Sequence, residues 1–175
     1  IAESGGTITI AGSILATASG FGGNDFFDPA NQYADLGGDG TGGTVNLLAN
    51  GGNIIGTSDV FALTNGLGGL GVVRGGDGLG GTINIQAIGG LVDVSSGAEA
   101  MRLSATGFGG DAVNETDGAS NILRGGGDGG DGIGGSIFLL AGLFGNSDGL
   151  TGILRTGDVV IEAISAVTPP DFGGI

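Results

Sequence analysis

The chain contains no histidine, cysteine, lysine or tryptophan, and only three prolines and one tyrosine among its 175 residues. These absences remove whole classes of chemistry: a Ser-His-Asp triad, a thiolate nucleophile, a Schiff base, a His/Cys zinc site and a Walker lysine all need residues that are missing. Positive charge is scarce. Arg74, Arg102, Arg124 and Arg155 stand against 18 acidic residues, for a net charge of −14, so nucleic acid, which is held through basic patches, is not an expected partner. No apolar run approaches the roughly 18 residues of a membrane span and no charged-then-apolar leader is visible, so no membrane insertion is expected. The chain opens at Ile1 rather than Met, which reads as a processed or excised piece of something longer. A cysteine-free acidic composition is compatible with the outside of a bacterial cell.

What is abundant is glycine. The 45 glycines and 3 prolines fill about 27% of the chain, against a usual share near 12%. Ile, Leu, Val and Phe nevertheless make up about 29%, well above the level of roughly 20% below which chains stay disordered, so a folded, Gly-punctuated repeat is expected. The heptapeptide Gly-Gly-Asp-Gly-x-Gly-Gly occurs at Gly37 to Gly43, Gly75 to Gly81 and Gly129 to Gly135, spaced by 38 and then 54 residues. An apolar stretch follows each copy, with one parity apolar throughout: Val45, Leu47, Ala49; Ile83, Ile85, Ala87; Ile137, Leu139, Ala141. This is the two-residue period of a half-buried strand.

A second unit begins at Gly51-Gly52 and at Gly89-Gly90, and the opening segment from Gly5-Gly6 aligns with it. Its inward parity is expected at Ile14, Val60 and Met101, then Ala16, Ala62 and Leu103, then Ala18, Thr64 and Ala105. Leu15, Phe61, Arg102, Thr17, Leu63 and Ser104 are expected to face outward. No segment shows a sustained 3.6-residue apolar period with caps. Units that match position for position but cannot each bury a core are expected to wind around an axis and stack, giving an all-β parallel β-helix. We read one single domain over 1–175, with repeats at roughly 37–74, 75–128 and 129–167 and a partial repeat over 1–36. If each unit of about 19 residues winds once, some seven coils spaced about 4.8 Å apart follow. The Gly-Gly pairs are read as corners, often with φ > 0.

The 16 additional residues of the long repeat fall between Phe108-Gly109-Gly110 and the next Gly-Gly-Asp-Gly, and the connection from Phe21 to Leu36 is also long. Loops of variable length on one edge of a regular shaft suit recognition. Ligand or partner candidates there are Phe26, Phe27 and Tyr33, which could stack on a sugar beside Asp25, Asp28 and Asn31, and the acidic Asp111, Glu115 and Asp117. The bland alternative is that Phe21, Phe26 and Phe27 pack the loop onto the shaft. Asp39, Asp77 and Asp131 recur at one repeat position and are calcium candidates, set against the alternative of turn aspartates that bond local backbone. Asp25 with Asp28, and Asp93 with Asp158, are the carboxylate pairs to weigh for glycoside hydrolysis. The literal G-x-G-x-x-G at Gly66 to Gly71 follows from composition, since no helix stands after it to build a dinucleotide site.

The run Gly-Gly-Asp-Gly-Thr-Gly-Gly-Thr-Val-Asn-Leu at 37–47, Gly-Gly-Thr-Ile-Thr-Ile-Ala-Gly-Ser at 5–13 and Ala-Ser-Gly-Phe-Gly-Gly at 18–23 resemble the repeats of filamentous-haemagglutinin-like bacterial exoproteins of the two-partner-secretion type. The resemblance spans most of the chain. It implies a right-handed β-helical shaft, secretion through an outer-membrane partner, and a role in adhesion, biofilm or surface filaments. The expectation is a non-catalytic segment of an extracellular, cell-surface fibre, without cofactor, whose partners are other copies stacked end to end or further repeats of a longer chain. The alternatives are a calcium- or glycan-binding surface module and, last, a polysaccharide-degrading enzyme.

Overall fold

A computed structural model of the chain describes residues 1–24, 36–96, 101–116, 122–142, 152–163 and 165–166, and these contain strands and no helix. None of the described residues therefore forms a helix long and apolar enough to cross a membrane. The strands fall into four layers. The first holds β1 (Ala2–Glu3), β2 (Thr7–Ile10), β3 (Ile14–Thr17) and β4 (Gly20–Phe21). The second holds β5 (Gly40–Thr41), β6 (Thr44–Asn50), β7 (Asn53–Gly56), β8 (Val60–Leu63) and β9 (Gly66–Leu67). The third runs through β10 (Gly78–Leu79), β11 (Thr82–Ile88), β12 (Leu91–Val94), β13 (Met101–Ser104) and β14 (Gly107–Phe108). After a short antiparallel pair, β15 (Glu115–Thr116) and β16 (Ile122–Arg124), the fourth follows with β17 (Gly132–Ile133), β18 (Ser136–Ala141), β19 (Ile153–Thr156), β20 (Val159–Glu162) and β21 (Ser165–Ala166).

Each layer gives one strand to each of five parallel sheets, except that the first layer has none in sheet I. Sheet I stacks β5, β10 and β17; sheet II, β1, β6, β11 and β18; sheet III, β2, β7, β12 and β19; sheet IV, β3, β8, β13 and β20; sheet V, β4, β9, β14 and β21. The register pairs equivalent residues of the repeat: Ile83 lies between Val45 and Ile137, and Ile85 between Leu47 and Leu139. Gly78 lies between Gly40 and Gly132. One passage through the five sheets thus takes 38 residues in the regular part of the chain, as between Asn46 and Asn84. This corrects the expected winding of one turn per 19 residues. The described residues form four layers rather than seven coils, a stack of roughly 15–20 Å at ordinary strand spacing.

Sheets II, III and IV enclose the side-chain core. Ile83, Ile85, Val92, Val94, Met101 and Leu103 are all buried, as are Ile54, Val60 and the column Ala2, Ala49, Ala87. The expected inward parity holds in the middle layers. The last layer keeps the same register, with Leu139 beside Ile85 and Ala141 beside Ala87, but both are exposed, since among the described residues no further layer covers them. Ser104, expected outside, is buried, held by hydrogen bonds to its neighbours.

Sheets V and I meet through glycine, without side chains, at Gly40, Gly66, Gly78 and Gly107. A methyl group on Gly40 would overlap the carbonyl of Leu67, one on Gly68 the carbonyl of Gly76, and one on Gly78 the carbonyl of Phe108. Backbone hydrogen bonds weave between the two sheets down the stack: Gly38 N–H donates to Gly23 O (2.9 Å), Gly69 to Gly38 (2.8 Å), Gly76 to Gly69 (2.9 Å), Gly110 to Gly76 (2.8 Å) and Gly130 to Gly110 (2.8 Å). Alternate residues bond within their own sheet, as Gly68 N–H to Phe108 O and Gly78 N–H to Asp131 O, both 2.8 Å. The buried backbone groups of this two-layer slab find partners in both directions, which a dry glycine interior requires.

Most of these glycines are therefore needed for close approach and not for turns, a second correction to the sequence reading. Among the described glycines, positive φ is confined to Gly5, Gly51, Gly89 and Gly142. They occupy equivalent positions at the corner between sheets II and III, where the chain must bend sharply.

Candidate functional site

The aspartates of the heptapeptide stand just before sheet I, in one column. Asp39 Oδ1 accepts the backbone N–H of Asp77 (2.8 Å), and Asp77 Oδ1 accepts that of Asp131 (2.8 Å). Each carboxylate thus binds the backbone one layer on. Arg74 adds a guanidinium, with Nη2 2.7 Å from Asp77 Oδ1 and 3.4 Å from Asp131 Oδ2. Three stacked carboxylates would repel one another; the arginine and the N–H donors offset that repulsion. The same device recurs elsewhere. Asn24 Oδ1 accepts Leu70 N–H, Ser19 Oγ accepts Asn65 N–H, and Asn65 Oδ1 accepts Thr106 N–H. Among the described residues, no group of three or more acidic side chains forms a cluster that would hold a metal ion.

The loop candidates are only partly described. Phe26, Phe27, Tyr33 and Asp117, together with Asp25, Asp28 and Asn31, lie outside the described residues. Phe21 is 74% exposed at the edge of sheet V and does not pack onto the shaft there. Asp111 is exposed, and its carbonyl accepts Gly71 N–H. Glu115 sits in β15, paired with Arg124 of β16. The additional residues of the long repeat thus begin and end as continuations of the stack, through bridges Gly71 to Ala112 and Arg74 to Asp128, and carry the antiparallel pair between them.

Asp93, on sheet III, accepts from the Ser95 hydroxyl (2.8 Å) and faces Arg155 across the layers at 3.6 Å. The Ser95 hydroxyl, helped by its backbone N–H and Arg155, holds the Asp93 carboxyl below its ordinary range against the opposing effect of burial. Asp158 is exposed in the turn between β19 and β20, and its carbonyl accepts Met101 N–H. Asp93 is thus engaged by serine and arginine, and no contact joins it to Asp158.

One concavity was not anticipated from the sequence. It lies on the outer face where sheet IV runs into sheet V, and encloses about 340 Å³. Phe61, Leu63 and Phe108 form its apolar sides. Asn65, Ser104 and Thr106 form its floor, with Ser104 and Thr106 only 5% and 3% exposed. Arg102 and Glu162, paired at 3.3 Å, stand at its rim. Ser104 Oγ donates to Asn65 Oδ1 (2.9 Å), and with its hydrogen so used it accepts from Thr106 Oγ1 at 3.1 Å. The outward parity of Phe61, Arg102 and Ser104 was legible. Their convergence with Asn65 and Thr106 was not, because the hydrogen bonds that join Ser104 and Thr106 to Asn65 cross between layers and leave no mark in the alternation of residues.

No protein-family model, curated protein or solved structure matches the chain.

Proposed function

We propose that the chain is a length of parallel β-helix serving as the shaft of an extracellular bacterial surface fibre, without catalysis of its own. The right-handed form follows the general preference of parallel crossover connections. The observation that carries this reading is the state of the two ends of the stack. In the first layer β1 reaches only Ala49 and Asn50 of β6, so among the described residues no strand pairs with Thr44 to Leu48 on that side. Behind that edge is an apolar cleft of about 150 Å³ between Ile14, Ala16, Val45, Leu47 and Val60. In the fourth layer Leu139, Val159 and Ile161, which stand in register with the buried Ile85, Met101 and Leu103, are exposed.

Open parallel edges over an unfinished apolar core favour another layer, supplied by a longer chain or by a second copy. The resemblance of the Gly-Gly-Asp-Gly repeats to exoprotein shafts supports the same reading, and the chain offers no histidine, cysteine or lysine for catalysis. Electron microscopy of the native material tests it. Rods with layers about 4.8 Å apart, in which one chain's fourth layer abuts a further layer of the same kind, are expected. Compact particles with both ends covered by the chain itself would remove the shaft function.

A further inference from the structure

We propose that the groove between sheets IV and V is a binding site for a short neutral saccharide. The inference is independent of the fibre reading, since it rests on the outer face of the second to fourth layers and not on the ends. Three properties of the groove select the ligand class. The first is its polar floor. Thr106 Oγ1 donates its hydrogen to Ser104, which leaves its lone pairs as acceptors; Asn65, with its oxygen engaged by Ser104 Oγ and Thr106 N–H, directs its amide nitrogen elsewhere as a donor. A donor beside an acceptor is what a sugar hydroxyl, itself both, pairs with. A purely apolar ligand would bury these groups unpaired, at a cost.

The second property is the pair of phenyl rings. Phe61 is half-buried and Phe108 is 43% exposed, so each keeps ring surface at the groove. The carbon-bound face of a pyranose packs on such surface while its hydroxyl edge reaches polar groups below. The third is charge. Arg102 is paired with Glu162, so the groove itself is close to neutral, while the chain as a whole carries −14. Sulphated or uronic glycans would meet that field without a free guanidinium to answer it. A volume of about 340 Å³ lies at the small end of the usual 300–1,000 Å³ of ligand sites, which fits a short saccharide.

The test is a titration of the full chain, isotopically labelled, with disaccharides of glucose, galactose, mannose and N-acetylglucosamine at millimolar concentration, followed by amide NMR shifts. At least one of these probes is expected to shift the amides of Asn65 and of Ser104 to Phe108. Phe108→Ala, at a partly exposed position, is expected to weaken that binding by about tenfold or more. Thr106→Val, which keeps shape and removes the acceptor, is expected to weaken it several-fold while leaving the remaining spectrum in place. No shift with any of the neutral probes would overturn the proposal. So would binding indifferent to both substitutions, or binding of a sulphated disaccharide in preference to all the neutral ones.

Discussion

The two halves of each layer solve the same problem with opposite means. Sheets II, III and IV are held around Ile83, Ile85, Val92, Met101 and Leu103, whose burial supplies the apolar stabilisation, and the β-branched Ile83, Ile85 and Val92 suit strands. Sheets V and I present glycine and no side chain to each other at Gly40, Gly66, Gly78 and Gly107. They lie close enough that carbonyls occupy the space where a Cβ would stand, and they are joined by a rising series of glycine hydrogen bonds. The glycine half must be held chiefly by backbone hydrogen bonds and close van der Waals contact, each small alone and effective only in exact register. The aliphatic half tolerates a lost methyl by leaving a cavity. The glycine half has nowhere to put an added one.

The sharpest way to break the comparison is to add that methyl. Exchanging glycine for alanine in an ordinary strand is favourable, by roughly 0.5–1 kcal/mol, because it reduces unfolded-state entropy. In Gly68→Ala the new Cβ overlaps the carbonyl of Gly76 and crowds the N–H of Gly110, both backbone groups that cannot swing aside. We expect the sign to reverse, with a loss of at least about 4 kcal/mol in urea unfolding, or no folded protein at all. A Gly68→Ala chain as stable as the parent would show that the two sheets can separate and that the slab is not close-packed.

Removing atoms from the other half should cost less. Ile85 is 1% exposed, between Leu47 and Leu139 in the centre of sheet II. Ile85→Ala deletes buried methylenes and leaves a cavity, for an expected loss of about 3 kcal/mol at unchanged fold. If Ile85→Ala proves the more damaging of the two, the side-chain core dominates the stack and the glycine slab follows it.

The aliphatic half was legible from the sequence and the glycine half was misread, for one physical reason. Alternation of apolar residues announces an inward face, so the spacing of Ile83, Ile85 and Ala87 alone is enough to place them in the core, where they are buried. Glycine alternates too: Gly38, Gly40 and Gly42, or Gly76, Gly78 and Gly80, follow the same period of two. An inward face made of hydrogen atoms leaves no hydropathy signal, and glycine's usual association with turns supplied the wrong explanation. The winding error has the same root. A circuit of about 19 residues would satisfy the alternating apolar pattern, but it cannot place a glycine strand such as β5 against another such as β9, which requires both units in one layer. For the candidate sites, the recurrence of Asp39, Asp77 and Asp131 showed that they would stack. That Arg74 would join them was not visible, because it occurs in one repeat only.

Thr64 marks the seam between the halves, and it gives the smallest and most specific test. It follows β8 in a column with Ala18 and Ala105, and its carbonyl accepts the N–H of Gly81 at 2.6 Å, where the glycine slab begins. The residue is fully buried and its hydroxyl has no hydrogen-bond partner among the described residues. A buried hydroxyl left unpaired costs on the order of 1–3 kcal/mol. Thr64→Val keeps the branched shape and the backbone carbonyl while removing the unpaired group, so we expect unfolding midpoints to rise, by about 1 kcal/mol in stability. The opposite sign, a loss of stability in Thr64→Val, would mean that the hydroxyl is satisfied at the seam by an ordered water, and that the junction of the two halves is wet where both of their interiors are dry.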